Sequence, residues 1–407
     1  MRRSLRLQLW SWNYEPEHTA MGPMAARWAE AMSARGHQVE VVTAHPHYPG
    51  PLWGRRLRPY RETRNGISIL RLPLLIGHRT TSARILEEAT YALSAGVAAA
   101  RASAPDAAVA VSPSFLGLFP VLASARHRRF PWILWLEDIL PDAAVTTGLM
   151  REGLALRTAQ RLEQFIYGSA DRIVVISNAF RDNLLGKGVP PWKVAHVYNP
   201  YTRGLGERPT AQNGGGPPRI LYMGNMGFSQ NLPALVRAFE HSPAVGDDVR
   251  LILAGTGELA LEAAAEIRST RVEMPGLLRE DLEIEIERAA IGLVPQRPDV
   301  DEFNLPSKLM NLMSRGVPVL ASVNPHSEVA LIVRESGAGW VVDAADPEGF
   351  PRAVGGILAD HEELERRGAA GLEFARRNFS PEVVATRFED VLYDVTPSDR
   401  IPGEAGP

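Results

Sequence analysis

The sequence contains no cysteine. Disulfides and thiolate metal sites are therefore excluded, which fits a reducing compartment. No stretch approaches the roughly 20 consecutive apolar residues that a membrane span needs. The opening Met1-Arg2-Arg3, followed by residues 5–12, makes a poor signal segment. Arg6 and Gln8 interrupt its apolar run, and it reads better as a first strand. No Gly-x-Gly-x-x-Gly follows that strand, which weighs against a dehydrogenase. His45 and His47 flank Pro46 with no third ligand nearby in the sequence, so no metal site is expected there. Short-period repeats and low-complexity runs are absent as well.

The 407 residues that remain to be explained are 45% apolar and 22% charged, an ordinary soluble balance. They are too many for one core and fit two domains of about 200 residues each. The net charge of −3 hides an asymmetry: residues 1–200 carry 24 Lys and Arg against 15 Asp and Glu, and the remainder 20 against 32. A basic first half joined to an acidic second half suits an anionic partner on the first half, or reflects solvated surface charge alone.

Hydrophobic periodicity predicts strand, turn and helix twice over. Leu5, Leu7 and Leu9 alternate as a strand, and 22–35 carries Met24, Ala25, Trp28, Ala29 and Met32 at helical spacing, with Gly36 as its stop. A Val-rich strand follows at 38–43, so the crossover makes a βαβ unit and the sheet is parallel. Further strands are expected at 67–72, 107–111, 132–136 and 172–176. The polar segment 202–218, ending in Gly214-Gly-Gly-Pro-Pro218, is the clearest linker. After it a second series begins. Strands are expected at 220–223, 250–254, 291–294, 317–321 and 339–342, with helices at 233–241 and 259–267. Two doubly wound halves bind ligands at the carboxyl ends of their strands.

Three stretches of the second half carry chemistry. In Asp301–Gly316, Pro306 fits the first position of a helix, Leu309, Met310, Leu312 and Met313 form its buried stripe, and Gly316 closes it. The amides of Ser307, Lys308 and Leu309 would then point outward at the helix start, a site for phosphate, with the Ser307 hydroxyl and the Lys308 charge on the same turn. Glu302 just upstream suits a sugar or ribose hydroxyl. The plain alternative is a capped helix with Lys308 solvated. Tyr222-Met-Gly224-Asn225-Met-Gly-Phe-Ser-Gln230-Asn231 and Ala254-Gly255-Thr-Gly257-Glu258 both leave a strand through glycines, as loops do where backbone approaches a diphosphate. Each reads singly as an ordinary strand-to-helix turn. Their weight comes from sharing one domain, whose rim brings them together. In the first half, Glu137, Asp138 and Asp142 cluster at the end of an apolar strand. They are expected to perturb one another's ionisation, with Asp138 accepting a proton from a hydroxyl. Alternatively, Asp142 caps a helix and Glu137 pairs with an arginine. Two basic runs, 53–64 and 126–129, suit an anionic membrane surface or plain solvation, and no nucleic-acid motif accompanies them.

In these residues the sequence resembles glycosyltransferase family 4, of the GT-B fold, in the branch of colanic-acid and O-antigen sugar transferases. The resemblance rests on Tyr14-Glu-Pro-Glu17 with Gly22, Gly36-His-Gln-Val-Glu-Val-Val-Thr43, His47-Tyr-Pro-Gly50 and Leu136-Glu-Asp-Ile-Leu-Pro-Asp142. It continues through Ala170-Asp171, Ile176-Ser177, Val197-Tyr-Asn199, the three stretches above and Gly316-Val-Pro-Val-Leu320. They span nearly the whole chain in family order.

The resemblance implies an α/β GT-B architecture: two Rossmann-like, doubly wound domains facing across a cleft. An acceptor domain at 1–200 precedes a nucleotide-sugar domain at 218–375, and a helix at 376–395 returns to the first. It implies a retaining transfer from a nucleotide-sugar, UDP-linked by preference, to a hydroxyl acceptor, without metal or other cofactor. Envelope polysaccharide, glycolipid or natural-product synthesis is the expected setting, in the cytoplasm or on the inner face of the plasma membrane. Gly224, Asn225, Gln230, Gly255, Gly257, Glu258, Phe303, Asn304, Leu305, Pro306, Ser307 and Asn311 are the expected donor contacts. Glu17, His18, Gly22 and Glu137 lie on the acceptor side, and Asp138, Lys308 and Glu302 are the expected catalytic groups. The sequence departs from the family where it commonly has Arg and Lys in the glycine loop: Asn225 and Gln230 stand there. The family's pair of glutamates falls at Phe303, beside Glu302, and at Asn311. Lys308 is inferred to take over neutralisation of the diphosphate. A UDP-sugar 2-epimerase-like enzyme and an inactive nucleotide-sugar-binding scaffold are the alternatives.

Overall fold

The computed structural model describes residues 2–17, 21–47, 58–75, 81–112, 114–139, 153–201, 204–206, 216–276, 281–299 and 305–396. The chain divides into two compact units, Met1–Asn199 with Pro381–Pro407, and Pro200–Ser380.

In the first unit the strands are β1 (Arg6–Ser11), β2 (Gln38–Ala44), β3 (Tyr60–Arg64), β4 (Ile67–Leu72), β5 (Ala107–Val111), β6 (Trp132–Leu136), β7 (Arg172–Val175) and β8 (Val194–His196). They form one sheet in the order β3-β4-β2-β1-β5-β6-β7-β8. All pairings are parallel except β3 with β4, where Tyr60 opposes Arg71 and Arg64 opposes Ile67. The parallel strands β5 and β6 are buried along their whole length, as strands covered on both faces must be. The sequence pattern missed β3 because Tyr-Arg-Glu-Thr-Arg lacks an apolar face, a composition suited to an edge.

Strands β9 (Arg219–Asn225), β10 (Arg250–Thr256), β11 (Val272–Gly276), β12 (Ala289–Pro295), β13 (Val319–Val323) and β14 (Gly339–Asp343) make the sheet of the second unit, in the order β11-β10-β9-β12-β13-β14. Every pairing in it is parallel. From β4 to β7 in the first sheet, and across the whole second sheet, the parallel strands follow the doubly wound order 3-2-1-4-5-6. That order reverses direction beside β1 and beside β9. At such a reversal the helices on either side diverge to opposite faces, which leaves room outside the carboxyl ends of β9 and β12.

The helix Ser307–Ser314 follows β12 and is buried through Leu309, Met310, Leu312 and Met313. It lies close to the sheet because Gly292 of β12 has no side chain. A Cβ there would stand 2.6 Å from Leu312 Cδ1. Gly316 ends the helix at φ 67°, with its amide bonded to the Met313 carbonyl at 3.0 Å. The start differs by one residue from expectation. Pro306 is the cap, at ψ 133°, and the helix begins at Ser307.

The segment 376–395 is not one helix. His361–Asn378 ends before Phe379, and a separate helix, Pro381–Val395, packs on the first unit. Its Phe388 ring stands edge-on to Trp28 at 5.3 Å and to Trp135 at 5.2 Å. Among the described residues no helix is long and apolar enough to cross a membrane.

Candidate functional site

The reversal point of the second sheet gathers the three stretches singled out in its sequence. The ends of β9 and β10 run side by side, with Gly224 opposite Gly255 and Asn225 opposite Thr256. Backbone touches backbone there: a Cβ on Gly255 would lie 1.9 Å from the Gly224 carbonyl oxygen. Gly257, at φ 155°, abuts Met226, whose amide donates to the Thr256 carbonyl at 2.9 Å. The Leu259 amide in turn donates to the Met226 carbonyl at 2.9 Å. Gly224 itself sits at φ 114°, a conformation that favours glycine. The two loops are thus one backbone-lined rim, on which Gly224, Asn225, Gly257 and Glu258 are exposed.

Lys308 reaches this rim from the helix that follows β12. Its Nζ lies 4.4 Å from the centre of the Tyr222 ring, donates to the Tyr222 hydroxyl at 3.3 Å and donates to Gln230 Oε1. Its Cε would stand 3.9 Å from a Cβ on Gly224. The Tyr222 hydroxyl donates to the Asn225 carbonyl. Gln230 is buried and donates through Nε2 to Ser229 Oγ at 2.9 Å. A cation held over an aromatic face beside glycine-lined backbone is an arrangement that accepts an anion.

Ser307 is exposed on the same turn, Pro306 half-buried and Leu305 buried. The Leu309 amide donates to the Pro306 carbonyl at 3.0 Å, which removes one of the three amides expected to point outward. The cause is the one-residue shift of the helix start. Asn311 is only 6% exposed, on the inner side of the helix. Glu302, Phe303 and Asn304 lie outside the described residues, as does His18.

In the first unit the carboxyl end of β6 carries Glu137 and Asp138. Both of their amides donate to Ser112 Oγ, at 2.8 and 3.2 Å, so the end of β5 pins the loop. The Glu137 side chain turns inward, 7% exposed, and accepts from Asn199 Nδ2 at 2.8 Å. Among the described residues no arginine pairs with it. Burial pushes its carboxyl up to about 8, and the neighbouring Asp138 pushes the same way, while the Asn199 amide pulls it down. Asp138 is half-buried at the same loop, and Asp142 lies outside the described residues.

Glu17 is buried as well. It accepts from the His47 amide at 2.6 Å and from Asn13 Nδ2 at 2.9 Å. The His47 ring stacks on Trp12 at 5.5 Å, with Glu17 Oε1 at 3.2 Å and Glu87 Oε1 at 3.9 Å from its two nitrogens. Gly22 opens its helix against Glu17, whose carbonyl oxygen would lie 2.8 Å from a Cβ there.

Part of each basic run has a structural use. Arg61 pairs with Glu40 at 2.7 Å and Arg64 with Glu15 at 3.5 Å. Arg126, His127 and Arg128 occupy the last turn of the helix Phe115–Arg128, where its dipole favours cations. Arg128 also donates to the Ala100 and Ala102 carbonyls. Residues 53–57 lie outside the described residues.

Sequence reasoning missed Tyr222, Ser112 and Asn199 as parts of these sites. Asn199 and Tyr222 both sit in stretches that carried the family resemblance, but neither was given a role there.

Residues 19–200 match the family described as a glycosyl transferase 4-like domain, and residues 217–360 the one described as glycosyl transferases group 1. The chain is 25% identical to a protein named as the colanic acid biosynthesis glycosyl transferase WcaI of Escherichia coli (strain K12), over 94% of this chain and 98% of that one. Among solved structures it is similar to a sucrose-phosphate synthase from Thermosynechococcus elongatus, with a TM-score of 0.70 and 17% identity over 96% of this chain and 99% of that one. It is also similar to the Anabaena protein HepE in complex with UDP-glucose, with a TM-score of 0.64 and 15% identity over 96% of this chain and 100% of that one. The last two likenesses establish the two-domain fold, and the matches in both halves, in order, establish the lineage. The chain belongs to the family 4 glycosyltransferases of the GT-B fold.

Proposed function

We propose that this protein is a retaining glycosyltransferase that moves a sugar from a nucleoside diphosphate, UDP by preference, to an acceptor hydroxyl in envelope polysaccharide synthesis. The observation that carries the reading is Lys308. The family commonly has basic residues in the glycine loop, where this chain has Asn225 and Gln230. Lys308 Nζ arrives at that loop from the opposite side of the reversal point, over Tyr222 and against Gln230. The charge missing from the loop is thus supplied from the helix. HepE, a structural relative, holds UDP-glucose, which favours UDP. The named role of the Escherichia coli relative favours polysaccharide.

In the reaction the bond from the anomeric carbon to the diphosphate breaks, and a bond to the acceptor oxygen forms on the same face. Lys308, with Ser307 beside it, stabilises the departing diphosphate, and the rim 224–230 with 255–258 lines its backbone side. Asp138 takes the acceptor proton. Glu302 orients the sugar. Lys308 supplies the charge a metal would otherwise bring, so no metal is needed. The enzyme works in the cytoplasm at the inner face of the membrane, with Arg126, His127 and Arg129 toward anionic lipid.

A thermal-shift screen against UDP, GDP, dTDP and ADP, free and sugar-linked, tests the donor half. A ligand that binds only the folded state raises the midpoint. Stabilisation by uridine compounds alone is the expected result. A flat response, or isomerisation of a UDP-sugar with no acceptor present, would sink the proposal.

A further inference from the structure

Glu137 and Asn199 leave a particular imbalance. Asn199 Nδ2 donates to Glu137 Oε2 at 2.8 Å, yet Glu137 Oε1 and Asn199 Oδ1 are both buried with no hydrogen-bond partner among the described residues. With Glu137 ionised, both orphans are acceptors and neither can serve the other, and each buried unsatisfied group is destabilising. One added proton removes the imbalance. A carboxylic acid and a carboxamide are complementary: the amide donates to one acid oxygen, and the acid hydroxyl donates to the amide oxygen.

We infer that Glu137 is a neutral carboxylic acid in the folded protein, its proton on Oε1 and donated to Asn199 Oδ1 in a reciprocal acid–amide pair. The pair is a positioning device. It ties the loop after β6 to Asn199 beyond β8, across the end of the intervening β7. Ser112 holds the backbone of the same loop from the β5 side through both amides. Asp138 projects from a loop clamped on both flanks. Asp138 is the charged group that acts on Glu137 among the described residues, and its negative charge favours the neutral acid. Burial acts the same way and is the largest effect, outweighing the Asn199 and Trp135 side-chain hydrogen bonds that favour the charged form.

The consequence for stability has a definite sign. The folded state holds this proton up to about pH 8, whereas the unfolded chain releases it near the ordinary carboxylate value of 4.5. Stability from the pair is therefore complete below the lower value. It declines between the two and is gone once the pH passes the upper one. Gln carries the same donor–acceptor pattern as the protonated acid without a titrating proton.

The test uses the full-length protein. Infrared spectra of the wild type at pH 7 are expected to show the carbonyl band of a buried protonated carboxylic acid, which fades as the pH rises through about 8. Glu137→Gln should lack that band, melt within a few degrees of wild type at pH 7, and lose less midpoint than wild type between pH 6 and 9. Glu137→Ala should melt well below both at pH 7. Absence of a protonated band in the wild type overturns the inference, even if no variant folds. So does a Glu137→Gln protein that is as unstable at pH 7 as Glu137→Ala, or that keeps the wild-type pH slope.

Discussion

Lys308 lies over a ring face and donates to a hydroxyl and to an amide oxygen. On the proposed function, a diphosphate oxygen at the rim adds a charged acceptor to this set. On the proposed mechanism the charge on that oxygen grows as the sugar departs, and the contribution of Lys308 would grow with it. Replacing Lys308 with Ala should lower kcat by about 10²–10³-fold, the range for losing one transition-state donor, while the donor KM changes far less. Steady-state kinetics with the cognate donor decides this. Equal losses in the two parameters would mean that Lys308 only binds. Lys308→Arg should recover little, because a guanidinium stacked on the Tyr222 ring directs its donors along its own plane and spreads its charge away from the position of the ammonium. On the proposed role of Lys308, turnover should survive EDTA within about twofold. A loss restored by added magnesium would contradict it.

At the scale of elements, the glycine-lined rim depends on two strand ends whose backbones touch. Gly255→Ala would put a methyl 1.9 Å from the Gly224 carbonyl, and strand backbone on both sides cannot yield as a flexible side chain would. We expect a loss of at least the 1–3 kcal/mol typical of overpacking, roughly, together with loss of nucleotide-induced stabilisation. Gly96→Ala is the matched control. Gly96 lies inside the helix Thr81–Arg101 with nothing within 4 Å of its Cβ position, so the change should stabilise by about 0.4–1 kcal/mol. Urea denaturation of the two variants separates the cases. Similar stabilities would show that the loops have room to part. These elements also show what was legible in the sequence. The two glycine loops and the helix at 307 are local patterns, readable as strand ends and a helix start. Their convergence follows from the strand order, which puts β9 beside both β10 and β12. The partners within the site are separated by long stretches of chain: Lys308 and Gln230 by 78 residues, Glu137 and Asn199 by 62. No periodicity encodes such pairs. The inward turn of Glu137 was hidden for a related reason. A carboxylate after an apolar strand looks exposed until the amide that receives it is known.

At the scale of the molecule, the chain returns to its first unit after completing its second. The helix Pro381–Val395 buries Val384, Ala385, Phe388, Val391 and Leu392, and Phe388 fills the angle between Trp28 and Trp135. Trp28 belongs to the helix after β1 and Trp135 to β6, so the helix Pro381–Val395 covers the core of a unit whose other described residues end at Asn199. Polar contacts fix its register. His37 Nε2 lies 2.9 Å from Glu389 Oε1, and the Tyr393 hydroxyl donates to the Arg3 carbonyl at 2.6 Å. A fragment of residues 1–199 would expose this aromatic surface to water and should be insoluble or unfolded. Joining residues 381–396 to it through a flexible linker should restore a cooperative melt. Within the full chain, Phe388→Ala should cost about 3–5 kcal/mol, the usual range for a buried phenylalanine, and should lower the melting of the first unit specifically. Hydrogen exchange resolves the two units: protection should fall in β1, β5 and β6 while β9, β10 and β12 keep theirs. Uniform loss across both sheets would mean that the units unfold as one. A soluble, cooperatively melting 1–199 fragment would mean that the terminal helix merely decorates a core already complete.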